Sequence, residues 1–229
     1  NIAITAQISK TNLTCFNDNS GRIRINPIGG IRPYLFWVEG KTTPQFDSTI
    51  TGLNAGNEYY RIEDAKGCEL RDTFSLTQPQ RIEINLVAKK NLRCYQINEG
   101  EIEVKVTGGT VTSDYDYNWS GTGMKSKKII NLGAGQHAVT VTDNNGCTAS
   151  FTETLVEPSN LVIQPKIIQN KCFGDSTASI ELQVSQATSP YRYKWSNDSI
   201  RNINTRLKEG KYWATIIDAN LCEFVSDTY

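Results

Sequence analysis

Six cysteines, a single histidine and an aspartate that returns three times are the residues of this 229-residue chain best equipped for chemistry. Cys15 and Cys68, Cys94 and Cys147, and Cys172 and Cys222 lie 53, 53 and 50 residues apart. No Cys-x-x-Cys occurs, and zinc needs four nitrogen or sulfur ligands gathered together, which one histidine and dispersed cysteines cannot supply three times over. The cysteines read as disulfides and as the mark of an extracellular compartment. Reduced, buried thiols in a cytosolic protein are the alternative. Six cysteines allow 15 pairings in principle. If each unit must hold together alone, the expected bridges are Cys15–Cys68, Cys94–Cys147 and Cys172–Cys222. Closing loops of that size contributes roughly 4 kcal/mol each on the chain-entropy account.

The repeated aspartates, Asp64, Asp143 and Asp218, each end an alternating stretch: Tyr60 to Cys68, Val139 to Cys147, Ala214 to Cys222. An aspartate carboxylate can bond the backbone two residues on and so fix a reversal. Gly67 and Gly146 suit the turn position that needs positive φ. Leu221 stands there in the third copy, and the expectation is that Asn220 takes the left-handed conformation instead. Calcium wants six to eight oxygens. Asp18 with Asp64, or Asp175 with Asp218, could offer some of them if a disulfide drew both turns to one end. The carboxylates are few and the second copy has Gln96 to Glu99 in the loop, so turns explain them better and no cofactor is expected. A hydrolytic triad would need His137, whose place is taken by Glu58 and Tyr212 in the sibling copies. Paired carboxylates for glycosidase work would make an active site in triplicate. The chain reads as not an enzyme.

Aromatic residues give a second periodicity. Tyr34, Phe36 and Val38 align with Tyr115, Tyr117 and Trp119, and with Tyr191, Tyr193 and Trp195. Their spacing of two places them on one face of a strand, toward a core. Trp37 and Trp213 fall on the opposite parity, with Tyr59. Exposed tryptophan suits stacking on a sugar or contact between neighbouring units, which makes these two the candidate binding residues.

The elements that must position these residues are short strands. Each copy opens with an alternating run (Ile2, Ile4; Ile82, Ile84, Leu86; Leu161, Ile163) and passes a polar loop bearing its first cysteine. A second alternating run follows, then the aromatic strand, a Leu-x-x-Gly, the aspartate-turn strand and a last strand. Gln78-Pro79 and Glu157-Pro158 punctuate the junctions, where proline restricts swinging. No stretch keeps helical period over ten residues. A repeat near 80 residues suits a small independent domain rather than a solenoid element. The expected architecture is all-β: three tandem immunoglobulin-like β-sandwich domains at 1–80, 81–159 and 160–229, the third truncated at its last strand, with a tryptophan opposite a disulfide. Twenty-four basic against twenty-four acidic residues leave no net charge. That excludes a phosphate-tracking surface, so no nucleic acid is expected. No apolar run is long enough for membrane insertion. With no initiating Met or signal peptide, the chain reads as a piece of a longer protein.

Cys172-Phe-Gly-Asp-Ser-Thr-Ala-Ser-Ile180, Pro190-Tyr-Arg-Tyr-Lys-Trp-Ser-Asn197, Leu132-Gly-Ala-Gly135 and Val139-Thr-Val-Thr-Asp-Asn-Asn-Gly-Cys147 resemble the SprB-type repeat of Bacteroidetes cell-surface adhesins. The best known of these serves gliding motility. The aromatic strand and aspartate turn are also similar to PKD domains. The resemblance implies a secreted, cell-surface array exported by type IX secretion, with no catalytic residues to transfer. Trp37 beside Val38, Leu221 in place of glycine, and the missing glycines near Gln186 depart from the pattern.

Two functions follow as expectations. In the first, the units are stalk or adhesive repeats of a large surface adhesin, packed on neighbouring repeats of the same chain. Strands of seven to nine residues at about 3.3 Å each would then give three units a reach on the order of 80 Å. In the alternative, the chain is a carbohydrate-binding or accessory module of a secreted multidomain enzyme, with surface polysaccharide as its partner.

Overall fold

The computed structural model describes residues 3–41 and 43–229. Ile2, expected to open the first strand, lies outside them. Among the described residues there are eighteen strands and no helix. The first repeat contributes β1 (Thr5–Thr11), β2 (Gly21–Ile28), β3 (Leu35–Val38), β4 (Thr49–Leu53), β5 (Gly56–Glu63) and β6 (Glu69–Leu76). The second contributes β7 (Gln80–Lys90), β8 (Gly100–Gly109), β9 (Asp116–Trp119), β10 (Lys128–Leu132), β11 (Gly135–Thr142) and β12 (Thr148–Leu155). The third contributes β13 (Val162–Ile168), β14 (Ala178–Ser185), β15 (Arg192–Trp195), β16 (Ile203–Leu207), β17 (Ala214–Ile217) and β18 (Glu223–Val225). Each repeat forms two three-stranded sheets in one order: first, second and fourth strands in one, third, fifth and sixth in the other. This is an all-β chain of tandem immunoglobulin-like sandwiches.

Packing divides the chain into two compact units. One comprises residues 1–85, 104–127 and 138–151; the other comprises 86–103, 128–137 and 152–229. The middle repeat is thus shared between them.

In the first unit, Ile23 and Ile25 of β2 with Ile50 and Leu53 of β4 meet Phe36 and Val38 of β3, Tyr60 and Ile62 of β5, and Phe74 and Leu76 of β6. Along β2 and β5 the inward residues alternate with polar ones, so these strands are apolar on the inside and wet on the outside. The same unit holds the β9–β11 pair, in which Trp119 is buried and its indole N–H donates to Ser126 O at 2.9 Å. In the second unit, Leu161, Ile180, Leu182, Trp195, Leu207, Ala214 and Ile216 make the corresponding core. There the Trp195 indole N–H donates to Arg201 O at 2.8 Å.

The departure at Val38 has a packing explanation in the register. Val38 lies opposite Tyr60, Trp119 opposite Val139, and Trp195 opposite Ala214. At this inward-facing position a tryptophan stands opposite a smaller residue, Val139 or Ala214, whereas Val38 stands opposite the larger Tyr60. Close-packed interiors tolerate such exchanges because volume is conserved across the pair.

Each aromatic strand is also pinned at its start. The hydroxyl of Tyr34 donates to Gly29 O, that of Tyr115 to Gly108 O at 2.7 Å, and that of Tyr191 to Ala187 O at 2.8 Å. These tyrosines are therefore half-buried tethers, while Phe36, Tyr117, Trp119 and Trp195 supply the core.

The volume exchange predicts strong coupling. Val38→Trp alone should destabilise the first repeat by about 2 kcal/mol through overpacking. Adding Tyr60→Ala should recover at least half of that loss. Urea unfolding of the two single variants and the double variant measures the coupling, and additive effects would contradict the paired-volume account.

Candidate functional site

The aspartate turn is the best-defined polar structure in each repeat. Asp64, Asp143 and Asp218 are all buried. Asp64 Oδ1 accepts from the amides of Lys66 (2.8 Å) and Cys68 (2.9 Å), and its Oδ2 accepts from Ile31 N (3.0 Å). Asp143 repeats the set with Asn145 N, Cys147 N and Thr110 N at 2.9, 2.9 and 2.8 Å. Asp218 accepts from Cys222 N at 2.9 Å and from Thr188 N at 3.4 Å. One carboxylate thereby holds the turn, the cysteine's own amide and the connection that follows the second strand. The amide of Cys68, ahead of those of Lys66 and Ile31, keeps the Asp64 carboxyl below its ordinary value of 3.8.

Positive φ at this turn falls on Gly67, Gly146 and, contrary to expectation, on Leu221 itself, at +65°. The Leu221 amide still donates to Asp218 O at 3.0 Å, as Gly67 and Gly146 do to Asp64 O and Asp143 O. The hydrogen-bonded frame overrides the side-chain preference, and Asn220 keeps its side chain free for other contacts.

The loop carrying the first cysteine is held just as closely. Asp18 Oδ2 accepts from Cys15 N at 2.9 Å and Asp175 Oδ2 from Cys172 N at 3.0 Å, while Glu99 takes Arg93 N at 2.7 Å in the second repeat. Junction residues join in: Gln78 Oε1 accepts from Asn17 N and Glu157 Oε2 from Gln96 N, at 2.8 and 2.6 Å. Asn17 and Gln96 both have positive φ. Sequence reading saw Gln78-Pro79 and Glu157-Pro158 as punctuation and missed that their side chains anchor the cysteine loops.

The cysteines are paired differently from the expected scheme. The bonds are Cys15–Cys147 and Cys94–Cys222, each with Cα atoms 5.6 Å apart. Cys68 and Cys172 are free and exposed. None of the expected bridges, Cys15–Cys68, Cys94–Cys147 or Cys172–Cys222, is present. The reason is strand length. In the first repeat, eight-residue β2 runs from the Cys15 loop to the connection bonded by Asp64, beside Cys68. In the third, eight-residue β14 runs from the Cys172 loop toward Thr188 and the Asp218 turn. Eight residues at about 3.3 Å set these cysteines roughly 26 Å apart, far beyond the ~7 Å that a disulfide can bridge. The two cysteines of a repeat sit at opposite ends of its sandwich, and each bond joins the loop of one repeat to the aspartate turn of the next. No tryptophan packs on a disulfide inside a sandwich, because the bonds lie at the junctions.

Both junctions share further contacts. Asn145 Nδ2 donates to Thr14 O at 3.4 Å, and Cys147 Sγ lies 3.4 Å from that oxygen. Asn220 Nδ2 donates to Arg93 O at 3.4 Å, and Cys222 Sγ lies 3.4 Å from it. The residue two past the aspartate thus caps the carbonyl just before the partner cysteine.

The other candidates are scattered. Trp37 stands on the outer face of β3 with the Arg61 guanidinium 3.7 Å above its ring. Arg61 is itself paired with Glu69 at 2.8 Å, so that ring face is occupied. Trp213 is exposed just before β17, in a different repeat. Asp18 and Asp64 belong to opposite ends of one sandwich, as do Asp175 and Asp218, so neither pair converges. Among the described residues no three of His, Cys, Asp and Glu gather as a metal site. His137 Nε2 sits 3.0 Å from Gly133 O.

Three outcomes follow. Peptide mapping without reduction should return the Cys15–Cys147 and Cys94–Cys222 linkages, with Cys68 and Cys172 alkylated. Leu221→Gly should raise stability by about 1 kcal/mol in urea, since left-handed backbone is strained for leucine. The stabilisation from Asp64, whose folded value is lowered, is complete above pH 3.8 and is lost as pH falls through that folded value. Melting temperatures of wild type and Asp64→Asn should therefore converge in acid and diverge above pH 5.

The SprB repeat family model matches residues 8–42, 86–124 and 167–199. Each matched segment takes in the cysteine loop and the aromatic strand and stops before the aspartate turn. No curated protein sequence matches the chain. Among solved structures, the three N-terminal domains of the highly immunogenic outer capsid protein of bacteriophage RB49 are similar at 12% identity and a TM-score of 0.40, over 99% of this chain and 97% of that one. The eight N-terminal immunoglobulin domains of the Down syndrome cell adhesion molecule are similar at 11% identity and 0.40, over 96% and 42%. The three matched segments, each with its cysteine loop and aromatic strand in the same fold, make this chain similar to the SprB repeat three times over.

Proposed function

We propose that the chain is a non-catalytic, covalently braced stalk or adhesive segment of a large secreted cell-surface adhesin. The single observation that carries this reading is the pair of disulfides joining each repeat to the next. A bond across a junction adds nothing to catalysis, whereas it resists bending, fraying and extension. SprB repeats belong to cell-surface proteins, and the disulfides fit an oxidising exterior. Export by type IX secretion, a gliding role and surface polysaccharide as the distal target belong to the same proposal. Three repeats that keep one topology while varying their outer faces suit a spacer better than an accessory module with one binding patch.

The bracing is measurable by pulling the chain between its two ends. With both bonds intact, the shortest covalent route runs 14 residues to Cys15, crosses to Cys147, returns 53 residues to Cys94, crosses to Cys222 and continues 7 residues to Tyr229. That route of 74 residues limits full extension to about 260 Å, against about 800 Å for the reduced chain at roughly 3.5 Å per residue. Single-molecule force spectroscopy with and without reductant should give this threefold difference. Equal extension in the two conditions would remove the proposal's support.

A further inference from the structure

Two cysteines are left over, and they are not equivalent. Cys172 sits in a first-cysteine loop, the third of its kind; Cys15 and Cys94 in the other two are bonded. Cys68 sits in an aspartate turn, the first of its kind; Cys147 and Cys222 in the other two are bonded. Each free thiol has the local frame of its bonded counterparts. Asp175 takes the Cys172 amide as Asp18 takes that of Cys15. Asp64 takes the Cys68 amide as Asp143 takes that of Cys147.

A second observation concerns the surface around the thiols. Phe16, next to Cys15, lines the groove at the first junction together with Pro79 and Cys147 and is 42% exposed. Phe173, its counterpart next to Cys172, is 98% exposed. An aromatic side chain whose sibling is partly covered at a junction stands here in solvent.

We propose that Cys172 and Cys68 are the two complementary halves of a third junction, and that a second copy of this chain completes it tail to head. The Cys172 loop of one copy bonds the Cys68 turn of another, and Phe173 packs in the groove so formed. A small-molecule disulfide supplies the oxidising equivalents. The thiolate of one cysteine takes up half of the reagent as a mixed disulfide and releases one small thiol. The thiolate of the other then attacks that mixed disulfide, forming the protein–protein bond and releasing the second small thiol. Two protein thiols and one small disulfide become one protein disulfide and two small thiols. The inference rests on the junction geometry, and it stands or falls independently of an adhesive role.

One position weakens this third junction relative to the other two. Lys66 occupies the place of Asn145 and Asn220, which cap the carbonyl before the partner cysteine. Lys171 precedes Cys172, so two ammonium groups would approach each other there.

The test uses Cys68→Ser, which keeps only Cys172 free, and Cys172→Ser, which keeps only Cys68. Each is incubated alone and in an equimolar mixture with oxidised and reduced glutathione. Expected is a disulfide-linked pair in the mixture, formed at least tenfold faster than any pair from either variant alone, with a Cys172–Cys68 peptide by mass spectrometry. Lys66→Asn added to Cys172→Ser should speed it several-fold. Self-pairing of either variant at the mixed rate, or no pairing in the mixture, overturns the proposal.

Discussion

Everything in this molecule that departs from an ordinary immunoglobulin-like sandwich descends from one buried carboxylate per repeat. Asp64, Asp143 and Asp218 gather the amide of the following cysteine and that of a residue from the neighbouring connection. Burying a charge is tolerable only when hydrogen bonds replace the lost water, and here backbone donors do so. The cysteine is thereby presented outward at the end of the sandwich rather than inward across its core. An inward cysteine could staple two sheets; an outward one can only reach another module.

That placement changes what the disulfides stabilise. A bridge within one small domain would compensate for a thin core. These domains instead rely on their cores, with cross-strand pairs matched in volume and tyrosine hydroxyls tied to the preceding connection. The bonds span 132 and 128 residues. On the chain-entropy account each removes on the order of 5 kcal/mol of unfolded-state freedom, and the two covalent loops overlap in the middle repeat. Unfolding of one repeat is thus restrained by its neighbour.

The sequence carried the fold well and the pairing poorly. Alternation along β2, β5, β8, β11 and β14 was visible, as were the aromatic strand and the three-fold recurrence, because burial on one sheet face imposes period two. The aspartate turn was legible from its composition. The disulfide partners were not, since a recurring spacing of 50 to 53 residues fits a bond within a repeat and a bond between repeats equally well. What decides between them is the end of the sandwich at which each cysteine emerges, and that follows from strand order, not from spacing. The left-handed Leu221 was missed for a related reason: local preference pointed to Asn220, and the hydrogen-bonded frame prevailed. Trp37 looked like a ligand platform by parity alone. The guanidinium of Arg61, its direct cross-strand partner and 24 residues on in the chain, occupies its face.

Tandem modules of one topology run the danger of exchanging strands while they fold, because a neighbour's segment offers the same hydrogen-bonding ladder. The cross-strand volumes work against such errors. A β15 bearing Trp195 inserted beside β5 would force its indole against Tyr60, whereas a β3 bearing Val38 beside β17 would leave a void over Ala214. Sibling repeats that differ in this one pair therefore carry their own proofreading against mispairing, written in the size of two side chains.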